Sequence, residues 1–236
     1  MRIGISINGV LRNYFKKIED THTKYFPPYE VEDDEGHMVL SEPIKVLDYD
    51  LEKWIHFPKE ISEQSTIKFD PNFDPFSSKS RDSVVDIELE EVEQEITINE
   101  FMYERCTLEI FGSADEMVKG AMNTLNNLIL DYPEHDFVVM SRETGLSVPS
   151  TYFFLSKTSC MSHEVKFVTD SKDQWNFVDM IVTDHPDVIN SKPDNKTCVI
   201  VNKMFNINEV KDTNVRIESI KELDGVLQSY KKPVQS

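Results

Sequence analysis

The sequence predicts an α/β fold, a parallel sheet with helices on both faces. Three observations predict it. The chain opens as a strand, a glycine turn and a helix within Arg2 to Tyr25. Short apolar runs of strand length recur at Asp136 to Ser141, Met180 to Asp184 and Thr197 to Asn202. Stretches of helical spacing separate these runs, and the right-handed crossover rule then leaves few topologies.

The first strand is carried by Ile3, Ile5 and Ile7, alternating with Gly4, Ser6 and Asn8. Gly9 permits the turn. Val10, Leu11, Tyr14, Phe15 and Ile18 recur at helical spacing, so a helix is expected from Val10 to Tyr25, ended by Pro27 and Pro28. From residue 27 to 100 the chain turns acidic and punctuated, as in Glu32-Asp33-Asp34-Glu35-Gly36, Asp70 to Pro75 and Ser77 to Ser83. Apolar islands interrupt it at Ile44 to Leu47, Trp54 to Phe57 and Val84 to Ile98. The expectation is a partly extended insertion with a short hairpin or helix. Domain boundaries follow: a core of 1–26 with 101–236, and an insertion of 27–100.

Beyond the insertion, Ser113-Ala-Asp-Glu116 reads as a capping box. Met117, Ala121, Met122, Leu125, Leu128 and Ile129 then predict an amphipathic helix of about five turns, stopped by Pro133. Asp136 to Ser141 is a buried-type strand, and Pro149 opens a helix running to Lys157. Met161 to Asp170 holds a strand, and Met180 to Asp184 another. Pro186 opens a short helix that Asp184 could cap. Thr197 to Asn202 and Val215 to Ile220 are further strands, Lys221 to Tyr230 is a closing helix, and a polar tail begins at Lys231.

Composition excludes some functions. The chain has 236 residues, 43 acidic against 25 basic, and a formal net charge of -18. Such a surface repels nucleic acid and anionic membrane. No apolar run approaches the ~20 residues of a spanning helix. Cys106, Cys160 and Cys198 are scattered and form no C-x-x-C pair, so buried, reduced thiols and an intracellular origin are expected. No Cys/His cluster has zinc-ligand spacing, and no secretory signal is expected at the N-terminus.

The N-terminal frame Ile-x-Ile-x-Gly-Val-Leu resembles the first motif of the haloacid dehalogenase (HAD) phosphohydrolase superfamily. The implied fold is an HAD-like Rossmannoid sheet, with the acidic insertion at the position of a cap. In that family the strand ends in Asp-x-Asp; here Ser6 stands at the nucleophile's place and Asn8 at the acid/base's. Ser141 matches the second motif, whose hydroxyl bonds the phosphoryl group. Lys157, Lys166 and Lys172 compete for the motif lysine. Asp184, after Thr183, matches the acidic fourth motif that binds magnesium. The resemblance therefore implies a degenerate pocket of Ser6, Asn8, Ser141, Lys157 and Asp184, with no catalytic residue, metal or cofactor. Ser6 brings no charge to a metal, and Asn8 neither gives nor takes a proton at neutral pH. A serine-type site of Ser6, His185 and Asp184 is disfavoured, because adjacent residues on a turn point apart.

A narrower resemblance rests on Tyr103 to Gly112, Ser141 to Lys157 and Trp175 to Asp179. These blocks are similar to HAD-like virion proteins of crAss-like tailed bacteriophages. What this implies is a non-enzymatic structural protein of the virion, a ring or collar subunit of the neck or tail. Its partners would be copies of itself in a homo-oligomeric ring and other virion proteins, without sequence-specific nucleic acid binding and without a membrane. The insertion would be a docking arm. The competing expectations are a magnesium-dependent phosphatase or nucleotidase with residual activity, and a phosphate- or nucleotide-sensing module.

Overall fold

The computed structural model describes residues 1–28, 30–32, 35–58, 60–68, 86–94, 96–206 and 215–230. The polar stretches at 70–75 and 77–83 and the tail from Lys231 lie outside the described residues.

In chain order, β1 (Arg2–Ser6) and α1 (Tyr14–Tyr25) precede the hairpin of β2 (Glu30–Glu32) and β3 (Met38–Leu40), then α2 (Leu51–Trp54). Next come β4 (Glu60–Lys68) and β5 (Asp86–Gln94), an antiparallel pair. Two π-helical turns follow at Glu100–Arg105 and Leu108–Gly112, then α3 (Ala121–Asp131) and β6 (Asp136–Ser141). The chain closes with α4 (Ser147–Lys157), β7 (Glu164–Phe167), α5 (Ser171–Gln174), β8 (Met180–Thr183), α6 (Pro186–Asn190), β9 (Thr197–Val201), β10 (Val215–Ile217) and α7 (Leu223–Tyr230).

Six strands form one parallel sheet in the order β10-β9-β8-β1-β6-β7. Read in sequence order within the sheet, this is the doubly wound, Rossmann-like arrangement, whose direction of growth reverses between β1 and β8. Strand alternation explains both covered faces. Ile3, Ile5, Phe137, Val139, Met180, Val182, Val199 and Val201 face α3, α4 and α7. Val138, Met140, Ile181, Cys198 and Ile200 face the other way, onto Trp175, Val178 and α6. Gly4 belongs to this second side: a Cβ there would stand 2.4 Å from Met140 Sδ.

The predicted helix at Val10 begins later, at Tyr14. Gly9 takes φ 74°, and the N–H groups of Leu11 and Arg12 both donate to Ile7 O, at 3.0 and 2.8 Å. This tight turn buries Val10 and Leu11. The capping box at Ser113 does not form either: Ser113 Oγ donates back to Leu108 O, and the helix starts at Ala121. Glu116 instead accepts from the N–H groups of Gly120 (2.8 Å) and Met122 (2.9 Å), capping α3 from upstream. Gly120 carries no capping side chain and sits at φ 84°, so Glu116 replaces the usual N-cap. Glu116→Ala should cost about 1 kcal/mol, the usual worth of a cap, read as a lowered thermal midpoint.

The chain divides into two compact units, 1–56 with 98–236, and 57–97. The expected insertion is thus split. Residues 41–56 are ordered by the sheet-bearing unit itself: Val46 and Ile55 are buried, and Val46 N donates to Glu19 at 2.8 Å. The second unit contains the β4–β5 pair, in register from Glu60↔Gln94 to Lys68↔Asp86.

The three cysteines are free, Cys106 and Cys198 buried and Cys160 half-buried. Burial pushes the Cys198 thiol up to about 12 and raises the other two. Iodoacetamide at neutral pH should therefore label Cys160 before unfolding, and Cys106 and Cys198 only after it, as peptide mass mapping would show.

Candidate functional site

An open doubly wound sheet offers a crevice beyond its carboxyl ends, where the strand order reverses. Here β1 ends at Ser6, β6 at Ser141 and β8 at Thr183. All three line a cavity of about 660 Å³, with Asn8, Tyr14, Tyr49, Tyr103, Arg142 and His185 among its other walls. Ser6, Asn8 and Ser141 line this cavity together. Asp184 lies beside them but is wholly buried. Lys157 is elsewhere: its Nζ donates to Ala114 O at 3.0 Å, in a separate pocket with Asp115 and Glu116. Lys166 pairs with Glu164 at 2.9 Å, and Lys172 lines a neighbouring surface pocket. Among the described residues no lysine lines the crevice; its cation is Arg142.

Asn8 is committed to a buried ion-pair network. Arg12, with no exposed surface, turns back under the motif. Its Nε donates to Asn8 Oδ1 at 2.9 Å, and its Nη1 to Phe111 O at 2.6 Å and Thr151 Oγ1 at 2.9 Å. Its Nη2 pairs with Glu143 Oε1. Glu143 also accepts from Asn8 Nδ2 at 3.0 Å and Thr151 Oγ1 at 2.6 Å. The rings of Phe111 and Phe154 lie 5.3 and 5.4 Å from the guanidinium carbon. Both halves of the Asn8 amide are therefore bonded, and the buried charges are matched as burial demands.

Asp184 is committed too. Its Oδ1 accepts from Tyr49 Oη at 2.9 Å, while Oδ2 has no hydrogen-bond partner. Gly9 lies directly against that carboxylate; a Cβ would stand 1.9 Å from Oδ2. Asn206 Nδ2 donates to the Asp184 carbonyl at 3.1 Å, fixing the backbone. Burial raises the carboxyl to about 6, opposed by the Tyr49 bond and by Lys203. Tyr49 comes from residues 41–56, and its ring also meets those of His185 (4.1 Å), Phe15 (4.8 Å) and Phe205 (5.7 Å).

The predicted cap of α6 is not Asp184 but His185, whose Nδ1 accepts from Asp187 N at 3.2 Å. Arg142 Nη1 lies against the same ring, and Arg142 Nε donates to Thr169 O at 3.1 Å. Burial, reinforced by Arg142, lowers His185 to about 4, so the ring is neutral at pH 7. Asp184 bonds Tyr49 rather than His185, so no serine-type triad is assembled.

Magnesium needs several charged oxygens around one point. The three positions predicted for it offer one hydroxyl at Ser6, one amide at Asn8 already bonded twice, and one carboxylate at Asp184 capped by Tyr49 and walled by Gly9. They do not fit that ion. Among the described residues no three His, Cys, Asp or Glu side chains cluster so as to hold any metal.

The sequence reading missed Arg12, Glu143, Thr151, Tyr49 and Arg142. Glu143 and Thr151 sit inside the block at Ser141 to Lys157, but nothing in a single sequence couples them to Arg12. Comparison with known proteins finds no family model that matches the chain and no curated protein that does.

Proposed function

We propose that the chain is a catalytically inactive HAD-like protein that acts as a structural and assembly component, a ring or collar subunit in the neck or tail of a tailed phage. One observation carries the non-catalytic part. Asn8 is bonded on both sides within the Arg12–Glu143 network, and Asp184 is wholly buried, bonded by Tyr49 at Oδ1 and walled by Gly9 at Oδ2. A general acid has to exchange a proton with substrate, and a metal ligand has to face the metal. The net charge of -18 supports the assembly part, since an acidic wall would not grip passing DNA by its phosphates. No described helix is long and apolar enough to cross a membrane.

On this reading the partners are copies of the chain and other virion proteins. The test is the native mass of the purified protein together with mass spectrometry of purified virions. A protein that stays monomeric when concentrated and is absent from virions rules the assembly role out. Release of phosphate from p-nitrophenyl phosphate, lost with EDTA and in Asp184→Ala, would establish the phosphatase instead.

The crevice favours one second reading, a sensor for a small polar ligand, because about 660 Å³ of space stands beside Arg142 and three tyrosines. Thermal stabilisation by AMP or inorganic phosphate would support it.

A further inference from the structure

We infer that the crevice beyond β1, β6 and β8 binds a neutral, planar heterocycle with a lactam edge, a ring carbonyl beside a ring N–H, as in uracil or hypoxanthine. The inference rests on the small-ligand reading of the crevice above and names the chemistry of that ligand.

Two polar side chains set the pattern. Gln174 lines the crevice and is 2% exposed. Its Nε2 donates to Val168 O at 3.0 Å, which fixes the orientation of the amide, and its Oε1 has no hydrogen-bond partner. Arg142 lines the crevice too, and its Nε donates to the next carbonyl, Thr169 O, at 3.1 Å. Its Nη1 is taken by His185 and Asp187, while Nη2 makes no bond among the described residues. The stretch of chain that follows β7 thus anchors both a lone acceptor and an unused donor on the crevice wall. A ligand that answers both needs an N–H for Gln174 and a carbonyl for Arg142. A buried amide oxygen left without a bond is costly, and a ligand N–H removes that cost.

Charge and shape select the class. The charged side chains of the wall are Arg142, Glu143 and Asp187. Arg142 faces Asp187 at 3.4 Å, and Glu143 is matched by the buried Arg12. His185, beside them, is neutral at pH 7. The wall therefore carries no charge in need of a counter-charge, which suits a neutral ligand, since a buried charge without a partner is unfavourable. Tyr14, Tyr49 and Tyr103 line the same space, and aromatic side chains take up flat π rings by stacking. A volume of about 660 Å³ is that of an ordinary small-molecule site and accommodates such a ring with a sugar attached.

Isothermal titration calorimetry of the full chain with four nucleosides tests this. Uridine and inosine carry the lactam edge. Cytidine and adenosine have closely similar rings with donor and acceptor exchanged. Uridine and inosine should each bind at least about tenfold more tightly than cytidine and adenosine, because the exchanged edge sets acceptor against Gln174 Oε1 and donor against Arg142. Gln174→Met should weaken uridine binding at least about tenfold with an unchanged circular dichroism spectrum. Arg142→Met should do the same, and it keeps the test alive if the buried Gln174 variant fails to fold. Uridine binding that is unchanged in both variants would lie elsewhere on the molecule and overturn the assignment. Equal binding of all four nucleosides would mean that stacking alone holds them, which overturns the lactam edge while the small-ligand reading stands. Thermal stabilisation by inorganic phosphate without binding of any nucleoside has the same meaning. No response to nucleosides, AMP or inorganic phosphate removes the ligand class and the small-ligand reading together.

Discussion

Arg12→Met should lower the unfolding free energy by about 3–5 kcal/mol, the usual cost of leaving one member of a buried ion pair alone. The reason lies in what remains. Glu143 is 4% exposed and would be left with only the Asn8 and Thr151 donors around it. Asn8 Oδ1, Thr151 Oγ1 and the Phe111 carbonyl would each lose a bond from the guanidinium. Urea unfolding measures the loss as a shift of midpoint. Arg12→Met/Glu143→Met should recover much of it, since replacing both partners removes the orphaned charge; a double-mutant cycle reads the coupling. The same geometry bears on restoring the acid. Asn8→Asp would set a second carboxylate where Asn8 Nδ2 now donates to Glu143, at 3.0 Å. That substitution should destabilise the fold rather than create an active site, and a gain of phosphatase activity would contradict the account of the network.

The sheet was legible in the sequence because its signal is local. Runs such as Phe137-Val138-Val139-Met140 are apolar on both sides of the strand, and the structure buries both sides. The helix starts were less legible. Val10 and Leu11 satisfy helical periodicity, yet they are equally content in a turn that buries them, and Gly9 permits that turn. Glu116 fits a capping box by spacing but caps a helix that begins further on, because the bond depends on where the intervening chain places Gly120. At the crevice, Ser6 and Ser141 each end a strand and Asn8 follows two residues after the first, so a local pattern points to them. Arg12 with Glu143 could not, because their partnership spans 131 positions. Tyr49 was hidden for another reason: its neighbours Asp48 and Asp50 make the stretch read as solvated, while the ring and hydroxyl between them face inward.

Asp184→Asn should stabilise the protein at pH 7, by an amount on the order of 3 kcal/mol, and the gain should vanish as pH falls through the range from 6 to 4. Burial raises the carboxyl from 3.8 to about 6, and each unit corresponds to about 1.4 kcal/mol. The sign follows from which form the fold prefers. A raised acid binds its proton more tightly in the folded state, so its stabilising contribution is complete below the unfolded value and is lost as pH rises through about 6. At pH 7 the carboxylate is charged, buried and bonded through one oxygen only. An amide keeps an acceptor for Tyr49 and carries no charge to desolvate. The wild-type profile alone would not isolate this. His185, lowered to about 4, prefers to be neutral when folded, so it loses stability as pH falls through the same window. The quantity to measure is the difference between wild type and Asp184→Asn at a series of pH values, in which the His185 contribution largely cancels. The surrounding charges are Lys203, which lowers Asp184, and Arg142, which acts on Tyr49 and His185. A difference that is flat between pH 7 and 4 would mean Asp184 stays ionised throughout. The carboxylate would then be better solvated than its packing against Gly9 and Tyr49 allows.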